Sequence, residues 1–194
     1  MDKELKISAE NALAAYKNTD ANGKELLEHL FDKELFAPDI KERVKTFEDA
    51  IAVLGENHPL VHQYAAMYDA LNDNDVCFGD FKDAIAYMKL RIIVASLNEG
   101  WRPTFSYDEY RYYPWFYLYT KAEYEELDED EKKDCRVVGR SYHHANGGVV
   151  YAGAGNASAH SSSYYGSRLA FKTRELAEYC GKQFIDIWEK WLFM

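Results

Sequence analysis

Asp80-Phe81-Lys82-Asp83-Ala84-Ile85-Ala86-Tyr87-Met88-Lys89-Leu90-Arg91-Ile92-Ile93-Val94-Ala95-Ser96-Leu97-Asn98-Glu99-Gly100 is the stretch on which the fold turns. Its apolar residues do not keep to one stripe. On a helix, Ile85, Met88, Ile92 and Ala95 share one side, and Leu90, Val94 and Leu97 share another. A helix that is apolar most of the way round is a buried helix. The segment is therefore expected to be the central element, capped by Asp80 and stopped at Asn98-Glu99-Gly100, with both halves of the chain packed on it.

Upstream the spacing is helical, with clear punctuation. Ser8 can cap a helix carrying Ala12, Leu13 and Tyr16. Asn18 to Gly23 reads as a turn, because Asn, Asp and Gly tolerate left-handed backbone and cap themselves. Leu26, Leu27, Leu30 and Phe31 then recur at helical spacing. Asp39 followed by Glu42 has the form of a capping box. Val44, Phe47, Ile51 and Leu54 follow on one face, with Gly55 as a natural stop. Pro59 suits the first position of the next helix, which carries Leu60, Tyr64, Met67 and Leu71.

Downstream of Gly100 the composition changes. Residues 101–120 are dense in Trp, Tyr and Phe, which favours extended structure. Pro114 marks a bend or an edge strand. That aromatic block reads as core in preference to a sugar-stacking platform. Lys121 to Lys133 reads as a short acidic surface helix. Arg136 to Arg140, Gly148 to Ala154 and Ser167 to Phe171 read as strands. Thr173 can cap a last helix with Leu176, Tyr179, Cys180, Phe184, Ile187, Trp188 and Trp191 on one face. The expected fold class is α+β. A helical scaffold over residues 1–100 packs on a small antiparallel sheet within an aromatic-rich region, 101–194, closed by a C-terminal helix. The whole is expected to form one compact unit.

Composition narrows the function classes. A chain of 194 residues with net charge −10 lacks the Lys/Arg surface that nucleic acid or anionic membrane requires. No apolar run is long enough to span a bilayer. The N-terminus has no apolar signal region, so synthesis in the cytoplasm is expected, with assembly into a virion or similar particle as a route out. Cys77, Cys135 and Cys180 are odd in number and widely spaced, and read as reduced thiols. His143, His144 and His160, or His58 and His62, lack the spacing of a metal site. No residue set has catalytic spacing, and no phosphate loop is present. The expectation is no cofactor, no metal and no catalytic centre, with a glycan-acting enzyme as a weaker alternative.

Ser141 to Gly166 is the most informative segment for function. It uses only Ser, Tyr, His, Ala, Asn, Gly and Val. Tyr offers rigid amphipathic contact area, and Ser, Gly and Asn offer adaptable hydrogen bonds, which is the composition of a recognition surface. The same composition also suits a small-residue loop or tightly packed strands. Tyr142, His143, His144, Asn146, Tyr151, Asn156, His160, Tyr164 and Tyr165 are the candidate contact residues for a protein or glycan ligand. In the rival reading the segment packs against another subunit of an assembly, and a homo-oligomer is compatible with either.

All seven residue types are reachable from an Asn codon (AAC or AAT) by changing adenines alone, whereas Lys, Glu, Gln, Met and Trp are not. Gly166-Ser167-Arg168-Leu169-Ala170-Phe171 follows the segment. Together these resemble the variable region of diversity-generating-retroelement target proteins, with the Gly-x-Arg last strand of C-type-lectin-like domains. The resemblance implies a diversified ligand surface on a lectin-like sheet. Such domains usually end at that strand, while here a helix follows and a helical half precedes. Asp39 to Ala50, Lys89 to Ile93, Leu97 to Trp101, Tyr110 to Phe116, and Gly166 to Phe171 with the helix after it, resemble a protein family of gut Bacteroidetes and their phages. That resemblance implies phage or mobile-element provenance, and no activity.

Overall fold

The structure is a computed structural model and describes residues 7–73, 81–104, 109–134, 136–137, 148–157 and 167–193. Among these, helix far outweighs strand, and the protein is α-rich. It divides into two compact units, Met1–Glu42 and Arg43–Met194. The change of composition at Trp101 lies inside the second unit.

In the first unit, α1 (Ala9–Asn18) and α2 (Ala21–Leu30) are each started by a side-chain cap. Ser8 accepts the Asn11 N–H at 3.2 Å, and Asp20 accepts the Gly23 N–H at 2.9 Å. The predicted turn over Asn18–Gly23 is therefore only Thr19 and Asp20. Asn22 and Gly23 are drawn into α2 because Asp20 satisfies its first amides. A 3-10 turn, Lys33–Phe36, brings Phe36 to stack on Tyr16 at 4.3 Å. The Tyr16 hydroxyl donates to Glu28 at 2.6 Å, and that bond to a carboxylate raises its pKa.

The break that the capping-box reading misplaced lies where the second unit begins, after Arg43. Asp39 accepts the Lys41 N–H, but the helix it starts, α3 (Ile40–Arg43), is a single turn. The reciprocal box is at Thr46 and Asp49, which open α4 (Phe47–Leu54). Asp49 accepts from the Lys45 and Thr46 amides at 3.0 and 2.9 Å, and these bonds hold its carboxyl below the usual range. The chain can leave the helix at Val44 because its exposed carbonyls find partners on a later helix. The Tyr179 hydroxyl donates to the Val44 carbonyl and the Gln183 amide to that of Lys45, both at 2.8 Å. Gly55 closes α4 at φ +82°, and Pro59 opens α5 (Pro59–Asp73), both as read from sequence.

The central helix, α6 (Lys82–Leu97), has buried residues round most of its circumference. Leu90, Ile92, Ile93 and Leu97 are fully enclosed. Helices α4 and α5 and two C-terminal helices, α9 (Arg174–Gln183) and α10 (Ile185–Phe193), pack on it. Asp80 lies outside the described residues; Phe81 occupies the cap position and supplies no side-chain bond. The far end closes as expected, with Glu99 and Gly100 at φ +49° and +84°. There Asn98 is buried and makes two long-range bonds. Its Nδ2 donates to the Ala170 carbonyl at 2.8 Å, and its Oδ1 accepts the Lys172 N–H at 3.0 Å. Glu99 adds ion pairs to Lys172 at 3.0 Å and Arg43 at 3.6 Å.

The strand elements are fewer than the sequence suggested. β1 (Arg111–Tyr119) pairs antiparallel with β3 (Gly148–Ala157), and β2 (Arg136–Val137) lies on the other side of β3. Ser167–Leu169 is a turn of 3-10 helix and not a strand, and only Phe171 bridges to β1, at Tyr112. The acidic segment is two short helices, α7 (Lys121–Glu126) and α8 (Glu129–Asp134). The last helix is broken at Phe184 into α9 and α10. Its apolar stripe survives the break, since Leu176, Cys180, Phe184 and Trp188 are all buried. Trp188 is fully enclosed and meets Phe116 of β1 at 5.3 Å and Trp191 at 5.7 Å.

Two substitutions test which contacts hold the unit together. Trp188→Ala removes the largest enclosed side chain and is expected to cost roughly 3–5 kcal/mol. Asn98→Ala strands the buried Ala170 carbonyl and the half-buried Lys172 amide and is expected to cost about 2 kcal/mol. Urea unfolding checks both. A loss under about 0.5 kcal/mol for Asn98→Ala, the size typical of surface positions, would show that the clamp at the end of α6 is incidental.

Candidate functional site

Ten residues of the Ser141–Gly166 segment, 148–157, form β3, the strand between β1 and β2. The register with β1 is specific in one respect. Gly148, Gly153 and Gly155 stand opposite Tyr119, Trp115 and Tyr113. A glycine lowers strand propensity, and a cross-strand aromatic offsets that by covering the bare backbone. The register shifts between Trp115 and Phe116, where β3 carries the extra residue, Ala152.

Of the nine candidate contact residues, two fall on described backbone. Tyr151 pairs with Phe116 and Asn156 with Tyr112. Tyr142, His143, His144, Asn146, His160, Tyr164 and Tyr165 lie outside the described residues.

The aromatic block was read as core, and the structure divides it. Tyr113, Pro114 and Phe116 are buried. Trp115 and Tyr117 are 48% and 62% exposed, and Tyr110 and Leu118 are also exposed. Strand alternation places Trp115, Tyr117 and Tyr119 on the same side of β1. The Tyr117 and Tyr119 rings lie 6.2 Å apart. This row was missed because density of aromatics hides their period. The signal was present in the odd-numbered spacing after Pro114.

Other candidate groups have structural duties. The His58 ring accepts the Leu60 N–H at 3.2 Å, so it caps α5. Glu123 accepts from Thr120 at the start of α7, which lowers its pKa. Lys89 lies over the Phe47 ring at 4.8 Å and the Tyr64 ring at 5.9 Å, and partial burial lowers its pKa. Among the described residues no group of three His, Cys, Asp or Glu is placed to hold a metal ion. No described helix is long and apolar enough to cross a membrane.

Cys180 is buried, and burial pushes its thiol up to about 12. The folded state thus favours the protonated form, so this contribution to stability is full below the unfolded pKa and is lost as pH rises toward 12. Peptide mapping after thiol labelling at pH 8 should find Cys180 unmodified in folded protein and modified in urea. Between pH 9 and about 11 the Cys180→Ala protein should lose less stability than the parent chain. Equal losses in the two proteins would contradict the burial effect.

Comparison with known proteins finds no matching family model, no matching curated protein and no matching solved structure.

Proposed function

We propose that this chain is a non-enzymatic recognition protein that presents a diversified Tyr/Ser/His/Asn-rich surface from residues 141–166 to a protein or glycan ligand. The observation that carries the reading is the composition of Ser141–Gly166, seven residue types that are all reachable by adenine changes from Asn codons. The α-rich body around α6 supplies the rigid support that a variable loop needs. In this reading β1 and β3 are the sheet of a C-type-lectin-like display element, the origin is a phage or mobile element, and the protein is carried on a virion. The 3-10 turn at Ser167–Leu169 departs from the lectin-like pattern, which has a strand there.

One observation favours a second reading, in which the small residues serve packing and the chain is a structural or assembly protein. The glycines of β3 all face aromatic partners on β1, so their presence there has a cause within the subunit. Under the first reading, display then falls chiefly to Tyr142, His143, His144, Asn146, His160, Tyr164 and Tyr165.

Sequencing the coding region across independent isolates tests the proposal. Substitutions should concentrate at adenine positions within codons 141–166, and a reverse-transcriptase gene with a near-repeat of that stretch should lie nearby. Substitutions spread evenly along the gene would refute diversification. The triple variant Tyr142→Ser, His144→Ser, Tyr164→Ser should change stability by no more than about 0.5 kcal/mol per site, as exposed positions do. A loss several times larger in thermal unfolding would favour the packing reading.

A further inference from the structure

The outward aromatic row of β1 lies outside the cassette, and its surroundings have a charge. Trp115 and Tyr117 are 48% and 62% exposed, and Tyr119 is half-buried beside Tyr117. An aromatic face carries negative quadrupole charge and attracts cations. Immediately after Tyr119, Thr120 caps α7, which packs on β1, and α8 follows. Residues 121–134 hold eight carboxylates against three lysines, which is half of the chain's net −10. Glu123, Glu125, Glu126, Asp128, Glu129 and Glu131 are exposed. Lys132 is already engaged within the segment, with its Nζ 3.8 Å from Glu129 and 5.9 Å from the Tyr124 ring centre.

We propose that the β1 row and the acidic helices beside it form a docking surface for a Lys/Arg-rich segment of a protein partner. Guanidinium or ammonium groups lie over the Trp115 and Tyr117 rings, and neighbouring cationic side chains meet the carboxylates of α7. A neutral glycan would use the rings but leave this field unused, and a nucleic acid or anionic membrane would be repelled by it. The proposal stands apart from the diversified-cassette reading, because none of these residues belongs to 141–166.

Calorimetric titration of the full chain with octa-arginine, octa-citrulline and cellohexaose tests it. Octa-arginine should bind, with affinity that falls as salt rises, and octa-citrulline should not. Trp115→Ala with Tyr117→Ala keeps the charge and should weaken octa-arginine roughly tenfold. Trp115→Phe with Tyr117→Phe keeps the rings and should bind within about twofold of the parent. Glu125→Gln with Glu126→Gln should weaken binding without touching β1. The serine triple variant in the cassette should bind octa-arginine as the parent does. Equal binding by the alanine variant would mean attraction by net charge alone and would overturn the proposal. So would binding of cellohexaose in place of octa-arginine, or loss of octa-arginine binding in the cassette variant.

Discussion

Enclosure of α6 on nearly every side is the constraint on which the second unit depends. A helix buried round most of its circumference must be surrounded by elements from both sides of the sequence, and α4, α5, α9 and α10 do this. Its polar end cannot then be left to water. Asn98 meets that requirement by bonding across more than seventy residues to Ala170 and Lys172. The break at Val44–Thr46 follows from the same arrangement, because α9, once seated, offers Tyr179 and Gln183 to the carbonyls that the interrupted helix leaves open.

Order in the sheet is borrowed from this core. β3 is rich in Gly and Ala and has little strand propensity of its own. β1 is aromatic and anchored, with Phe116 on Trp188 and Tyr112 bonded in both directions to Phe171. The pairing of three glycines with three aromatics makes the register specific, since a slip by one residue would bring different partners face to face. A strand so rich in small residues keeps its place because its aromatic neighbour pairs with each of its glycines.

The helices were legible in sequence wherever the signal is local. Ser8, Gly55, Pro59 and Thr173 act through their own backbone or their nearest amides, and all four sit where they were read. Some errors are local, as where Asp20 draws Asn22 and Gly23 into α2, and others lie where a distant partner decides. Thr46 outranks Asp39 as a cap because Tyr179 and Gln183 make a break at Val44 tolerable. Ser167–Leu169 has the composition of a strand, yet Phe171 makes one bridge and the preceding residues turn. The β1 row was hidden because an aromatic count does not distinguish Trp115 from Phe116, which alternate between solvent and Trp188. The Ser141–Gly166 segment was conspicuous by composition, but which of its side chains could meet a ligand is a tertiary property that composition does not encode.

Pro114 and the Phe171 bridge have a consequence for growth of the sheet. Tyr112 directs its amide and carbonyl away from β3 to Phe171, so by alternation the backbone nitrogen of Pro114 lies on that same outer edge and has no hydrogen to offer. A stray strand seeking that edge finds one position occupied and the next unable to donate. Polymerisation of the kind that turns exposed sheet edges into fibrils would have to begin beyond Pro114, on about five residues or some 17 Å of strand. The outer edge of β1 thereby carries its own guard against aggregation, set by one proline and one backbone bridge.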